Sequence, residues 1–150
     1  MIFNINNTFS DSLPADKTLE NTRRQVVDAC FSYVTPKKTA KPELLHVSET
    51  LLKHLGLTKE DTTSDEFLSI FTGNQVLENT HPYAMCYGGH QFGNWAGQLG
   101  DGRAINLFEI DHNNEHWALQ LKGAGETPYS RTADGLAVLR SSIREHLCSE

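Results

Sequence analysis

The sequence predicts an α+β fold, in which an antiparallel sheet has a helix packed beside it. Two segments, Arg103 to Ile110 (RAINLFEI) and His116 to Leu121 (HWALQL), have strand patterns, and the polar turn DHNNE joins them. This arrangement predicts an antiparallel ribbon. After the ribbon, apolar residues recur at helical spacing and predict a helix that begins near Asp134. These residues are Leu136, Leu139, Ile143 and Leu147.

The first half of the chain predicts smaller elements. Ser48 and Ser64 can each cap a short helix, because a serine hydroxyl accepts a hydrogen bond from the first helical turn. Residues 29–34 have a weak strand pattern that Thr35-Pro36 closes. We therefore expect two regions: residues 1–80 form an N-terminal extension of short helices, and residues 81–150 hold the glycine-rich loop, the strands and the final helix.

Composition excludes several classes of function. The 150 residues are enough for one domain or for half of a bilobal protein. The formal net charge is −6 and no basic stripe occurs, so nucleic acid is not the expected partner. No apolar run approaches the ~18–20 residues that cross a bilayer, and the N-terminus does not resemble a secretory signal. Cys30, Cys86 and Cys148 form no C-x-x-C pair, so we expect reduced thiols in a cytoplasmic protein.

Glycine is concentrated in one window of the sequence. Eight of the eleven glycines lie between Gly88 and Gly125. The run Gly97-Gln-Leu-Gly100-Asp-Gly102-Arg103 leads into a predicted strand, where glycines would let backbone N–H groups approach phosphate oxygens. Arg103 could add a charged fork. Glycine-rich turns between strands are also common as plain tight turns, and the run by itself leaves both interpretations open.

Lys122 and Glu145 give the glycine run more weight. Lys122 ends the second predicted strand, and Glu145 follows on the predicted helix. A glycine loop, a strand lysine and a helix glutamate occur in this order in a protein-kinase N-lobe, where the ion pair holds the ammonium against phosphates. Two details disagree with the kinase pattern. Ile105 stands where a kinase has its third glycine, and a helical wheel puts Glu145 opposite Leu136, away from the apolar stripe. A surface lysine and glutamate that never meet is the alternative.

Two possible metal sites have simpler interpretations. Residues 112–116 (HNNEH) match the H-x-x-E-H spacing of zinc peptidases, but that chemistry needs a helix and this segment lies between two strand patterns. A hairpin turn is the favoured interpretation. His81, Cys86 and His90 are close in sequence, and their aromatic neighbours favour packing over metal binding. Ser130 lies in no nucleophile-elbow motif.

Three long stretches of this sequence resemble the selenoprotein O family of pseudokinase protein adenylyltransferases. They are YGGHQFGNWAGQLGDGRA (87–104), LQLKGAGETPYSR (119–131) and DGLAVLRSSIREHLCSE (134–150). The resemblance implies a kinase-like N-lobe as the N-terminal portion of a longer protein whose C-terminal lobe is missing from this chain. It also implies that ATP binds in the opposite orientation to that in ordinary kinases. AMP, and not the γ-phosphoryl group, is then transferred to Ser, Thr or Tyr hydroxyls of protein substrates.

The resemblance further implies roles for individual residues. Lys122 and Glu145 would be the catalytic pair, with Lys122 on phosphate. Mg²⁺ is implied, but its ligands and the catalytic Asp would lie beyond residue 150, so no metal ligand is expected here and the chain alone is expected to be inactive. The residues expected to contact ATP are Gly100, Asp101, Gly102, Arg103, Lys122, Asp134 and Gly135.

An alternative function stays open at this point. The chain could be a non-catalytic module that senses nucleotide or binds another protein. Such a module would tolerate loss of Lys122, whereas the enzyme would not. A metal-dependent peptidase centred on residues 112–116 is a third and more remote interpretation.

Overall fold

The computed structural model describes residues 1–149 and shows an α+β fold with antiparallel sheets. Its helices are α1 (Thr8–Ser12), α2 (Glu49–His54), α3 (Asp65–Phe71) and α4 (Leu139–Ser149), with a 3₁₀ turn at Asp61–Thr63. Its strands are β1 (Phe31–Tyr33), β2 (Tyr83–Met85), β3 (Gly88–Gln91), β4 (Asn94–Gln98), β5 (Ala104–His112) and β6 (Glu115–Lys122). The predicted fold class is therefore confirmed at this level.

The main sheet has the strand order β1-β2-β5-β6, and β3 pairs with β4 in a separate hairpin. Strands β5 and β6 form the predicted antiparallel ribbon, with Ala104 opposite Lys122. The ribbon turns at Asn113 (φ 51°) and Asn114 (φ 63°), a left-handed pair typical of tight hairpins. The hairpin interpretation of residues 112–116 is confirmed, and this segment has no helix that would place two histidines on one face.

Strand β5 forms the centre of the core. All residues from 104 to 110 are buried, so both faces of the strand are covered. Ile105 packs with Val34 and Tyr129 in one hydrophobic cluster, whereas Phe108 and Ile110 belong to another. Each such side chain contributes about 1.5–3 kcal/mol through burial. The core thus holds β5 rigidly, and with it the loop that precedes its first residue.

The two serine caps are found where the sequence predicts them. The Ser48 hydroxyl accepts a hydrogen bond from the Leu51 amide at the start of α2, and the Ser64 hydroxyl accepts one from the Phe67 amide at the start of α3. Both contacts satisfy an amide that has no partner within its own helix. The short helices bury Leu52, Leu57 and Phe67 together.

Helix α4 differs from its prediction in two respects. It begins at Leu139 and not near Asp134, because Gly135 has φ +68° and the Ala137 amide donates to the Gly123 carbonyl at 3.0 Å. These contacts hold the preceding residues in an extended path along the loop after β6. The predicted helix packing is also wrong, because no residue of α4 is buried. The apolar stripe of Leu136, Leu139, Ile143 and Leu147 is 36–68% exposed.

Several elements have no counterpart in the prediction, namely α1, β2 and the β3–β4 hairpin. Within residues 1–149, no helix combines the length and the apolar character that crossing a membrane requires. Strand β1 comes from the first 80 residues and pairs with β2. The division of the chain near residue 80 stays a prediction.

Candidate functional site

A cleft of about 340 Å³ opens between the loop that precedes β5 and the loop that follows β6. The first wall carries Gly100 to Arg103, and Lys122 closes the end of β6. The second wall carries Ser130 and Arg131. The fold therefore brings the predicted glycine segment and the predicted lysine to one place.

The glycines of the first wall are required by local packing. Gly100 has φ +133°, and a Cβ atom there would lie 2.7 Å from the Met85 carbonyl oxygen. A Cβ atom on Gly102 would lie 2.9 Å from the Tyr129 carbonyl oxygen. No side chain fits at such distances without moving backbone atoms. These close contacts account for both glycines, and the Asp101 and Gly102 amides donate to the Met85 and Gly100 carbonyls at 2.9 and 2.8 Å.

Buried hydroxyls attach the two walls to each other. The Ser130 hydroxyl donates to the Gly102 carbonyl and accepts from the Thr127 amide at 2.8 Å. The Thr127 hydroxyl donates to the Asp101 carbonyl at 2.7 Å. Thr127 and Ser130 are both almost fully buried. Because these bonds satisfy backbone groups inside the protein, they fix the shape of the cleft.

Asp101 faces the protein interior. Its Oδ2 atom accepts hydrogen bonds from the Met85 amide at 3.0 Å and from the Asn106 side-chain amide at 3.1 Å. Burial raises the pKa of this carboxyl, although the Met85 and Asn106 contacts and the nearby Lys122 act in the opposite direction. Asp101 therefore shapes the loop, and its carboxylate is occupied by neighbours on β2 and β5.

Glu145 lies between two cations at the mouth of the cleft. Its Oε2 atom is 3.4 Å from Lys122 Nζ, and its Oε1 atom is 3.5 Å from Arg103 Nη2. The two side chains predicted to pair are thus brought together, although α4 buries none of its residues. All three side chains are 36–51% exposed, so each ion pair contributes about 0–1 kcal/mol to stability. The contacts orient the two cations more than they stabilise the fold.

Asp134 and Gly135 do not line the cleft. The Asp134 carboxylate accepts from the Leu136 amide at 3.0 Å. Gly135 is packed against Gly125, where a Cβ atom would lie 1.9 Å from the Gly125 carbonyl oxygen. These two predicted contact residues follow Ala133, which is the last residue of this loop that lines the cleft.

Sequence reasoning missed the second wall. Tyr129, Ser130 and Arg131 line the cleft, and all three fall in the segment TPYSR. No spacing rule assigns a role to these residues. The available signal was their position in a stretch with family resemblance, directly after the strand that ends at Lys122.

A larger cavity lies elsewhere on the described part of the chain. It has a volume of about 530 Å³ and is bordered by Leu19, Tyr33, Val34, His81 and neighbouring neutral residues. None of its lining residues is Lys, Arg, Asp or Glu. For an anionic ligand, the smaller cleft with its cations is the better candidate.

His81 and His90 both contact aromatic rings. The His90 ring lies 5.1 Å from the Trp95 ring, and the His81 ring lies 5.8 Å from the Tyr33 ring. The packing interpretation of these histidines is confirmed. Across residues 1–149, no three or more His, Cys, Asp or Glu side chains converge as metal ligands would.

A glycine-rich loop, with cations and a helix carboxylate gathered beside an antiparallel sheet, defines a candidate phosphate-binding α+β domain. Comparison with known proteins gives the family. Residues 15–150 match the family described as protein adenylyltransferase SelO, and the chain belongs to this family. The resemblance found in the sequence is confirmed.

Curated relatives of the chain are called protein nucleotidyltransferase YdiU. The relative from Flavobacterium johnsoniae is 63% identical over 97% of this chain, and the one from Rhodopirellula baltica is 56% identical over 96%. A third, from Methylobacillus flagellatus, is 53% identical over 96%. The chain spans 27–28% of the length of these three relatives.

Proposed function

We propose that this chain supplies one wall of the ATP site of a protein adenylyltransferase, which moves AMP from ATP to Ser, Thr or Tyr hydroxyls of other proteins. The observation that carries the proposal is the contact between Lys122 Nζ and Glu145 Oε2, 3.4 Å apart at the mouth of the cleft. The family of the chain and the names of its relatives support the same chemistry.

The cleft can stabilise the charge that this transfer moves. A substrate hydroxyl oxygen forms a bond to the α-phosphorus of ATP, the bond from that phosphorus to the bridging oxygen breaks, and pyrophosphate leaves with the electron pair. Lys122 and Arg103 can hold phosphate oxygens while Glu145 keeps both cations in place. Fixed charges aimed at a developing anion lower its energy most effectively where water is scarce.

The proton of the attacking hydroxyl needs an acceptor, and the Glu145 carboxylate at the mouth of the cleft is already paired with Lys122 and Arg103. The Asp101 carboxylate already accepts from Met85 and Asn106. The same side chain is a poor ligand for Mg²⁺, and residues 1–149 bring together no cluster of metal-binding side chains. We propose that the base and the Mg²⁺ ligands come from another part of the parent protein, and that this chain alone is inactive.

Three predictions about domain architecture belong to the same proposal. The sheet and α4 form a kinase-like N-lobe, preceded by an extension over residues 1–80, and a second lobe completes the ATP site. The strand position of Lys122 and the helix position of Glu145 support this assignment. We also propose a cytoplasmic location, which the free thiols of Cys30, Cys86 and Cys148 support.

The test is transfer of α-phosphate-labelled AMP from ATP to a protein mixture by the full-length protein. Lys122→Ala is expected to reduce incorporation by about a hundredfold or more. Lys53→Ala, a change of an exposed lysine on α2, is the matched control and should keep full activity. Equal activity of both variants would refute the role of Lys122 and favour the alternative, a non-catalytic nucleotide-sensing or protein-interaction module. Robust incorporation by the 150-residue chain alone would refute its predicted inactivity.

A further inference from the structure

Arg131 is a cation of the cleft with no role in the predictions above. It lies on the second wall, facing the same 340 Å³ space as Arg103 and Lys122. Those two residues belong to the sheet side, whereas Arg131 follows the buried segment 127–130. The cleft therefore has a third cation, which comes from its second wall.

The backbone at Arg131 is held in an unusual conformation. Its φ is +56°, a left-handed value that arginine rarely adopts. Within residues 1–149, most other non-glycine residues with positive φ are Asn or Asp, whose side chains tolerate it. The contacts of Ser130 with Gly102 and Thr127 fix the preceding residue, and the Ala133 amide donates to the Ser130 carbonyl at 3.0 Å. Such strain persists where the surroundings impose it, frequently at functional sites.

The charge of Arg131 is not balanced by an acid. Its Nη2 atom donates to the neutral Gln91 side-chain oxygen at 2.8 Å, and no carboxylate within residues 1–149 lies in salt-bridge range. By contrast, Arg103 and Lys122 share Glu145. Arg131 is thus a guanidinium in a cleft, held by a weak neutral acceptor and able to exchange it for an anion.

We propose that Arg131 is a further phosphate-binding residue, which contacts the polyphosphate part of the nucleotide from the second wall of the cleft. This inference rests on the proposed function, because it takes the ligand to be a nucleotide. A ligand that reaches both walls carries more than one anionic group, so Arg131 selects nucleoside polyphosphates over monophosphates. Its planar fork can donate two parallel hydrogen bonds to one phosphate, and on binding it leaves Gln91.

The experiment measures binding of ATP, AMP and inorganic triphosphate to the 150-residue chain by isothermal titration calorimetry. Arg131→Gln removes the charge. Arg131→Gly also removes the charge, and it relieves the strain of the left-handed backbone at this position. The unfolding midpoint of this variant should therefore stay within about 3 °C of that of the unaltered chain. Arg140→Gln, a change of an exposed arginine that does not line the cleft, is the matched control.

Both Arg131 variants are expected to lower the affinity for ATP and for triphosphate about tenfold to a hundredfold, while the affinity for AMP changes less than about threefold. Arg140→Gln should change none of the three. Equal weakening of AMP and ATP, or no weakening, would overturn the inference. If Lys122→Ala, titrated in the same way, weakens ATP binding while the Arg131 variants do not, the inference fails and the proposed function stands. If triphosphate binding depends on Arg131 while ATP does not bind, Arg131 is an anion site and the nucleotide part of the inference fails. No binding of any ligand also overturns the inference, whereas the proposed function is decided separately by the transfer assay of the full-length protein.

Discussion

Ser130 is the residue whose removal tests how the cleft is built. Its buried hydroxyl joins the Thr127 amide to the Gly102 carbonyl. Ser130→Ala leaves both groups without this partner, and an unsatisfied buried group costs about 1–3 kcal/mol. Thr127 is 1% exposed, so its amide should bear the full cost. Gly102 is half-buried, so its carbonyl can replace part of the lost hydrogen bonding with water. We expect the free energy of unfolding to fall by about 2–4 kcal/mol.

The assay is urea unfolding followed by circular dichroism, with thermal unfolding as a second measurement. For a chain of this length the midpoint should drop by roughly 5–15 °C. Ser142→Ala, which changes an exposed serine on α4, is the matched control and should shift stability by less than about 0.5 kcal/mol. ATP affinity should fall with Ser130→Ala because Gly102 loses its attachment. A stability change below about 0.5 kcal/mol in Ser130→Ala would refute the reasoning.

Three further predictions concern parts of the fold near the site and away from it. Gly135→Ala should destabilise the chain by at least about 2 kcal/mol more than Gly93→Ala in urea unfolding, because both have positive φ but only Gly135 has a carbonyl oxygen 1.9 Å from the new Cβ; equal effects would contradict this. The contacts with Asp111 and Glu109 raise the pKa of His116 above 6.5, so its stabilisation is present below about pH 6.5 and is lost as pH rises through the raised value. The stability gap between the unaltered chain and His116→Gln should shrink from pH 6 to about pH 9, and a constant gap would refute it. Ser64→Ala should cost about 1 kcal/mol through loss of the helix cap, and an unchanged unfolding midpoint would show that the cap contributes nothing.

The elements that sequence patterns predicted are those whose signals are local. The ribbon of β5 and β6 shows alternation and a polar turn, and the Ser48 and Ser64 caps each act within one helical turn. The β3–β4 hairpin was missed because its glycines and aromatics give no alternation of apolar and polar residues. Its turn at Phe92 and Gly93, which both have positive φ, also lacks the Asn-Gly or Asp-Gly pair that marks a tight hairpin in a sequence.

The site shows the same division between local and long-range information. The glycine run and Lys122 were predictable because strand ends can be located from the sequence. The start of α4 was not, because Gly135 is fixed in a left-handed conformation by contact with Gly125, ten residues earlier. The helical wheel that set Glu145 opposite Leu136 does not apply, because Leu136 precedes α4 and forms a β-bridge with Ala124. Leu139, Ile143 and Leu147 are exposed on α4, and Glu145 of the same helix reaches Lys122.

The most direct test of the central claim follows the backbone amide signals of the ¹⁵N-labelled chain by NMR while ATP is added. The account predicts that the largest shifts fall on Gly100, Gly102 and Arg103, and that Lys122→Ala removes them while Lys53→Ala does not. Shifts centred instead on the neutral cavity beside Tyr33 and His81, or shifts at the glycine turn that persist in Lys122→Ala, would contradict it.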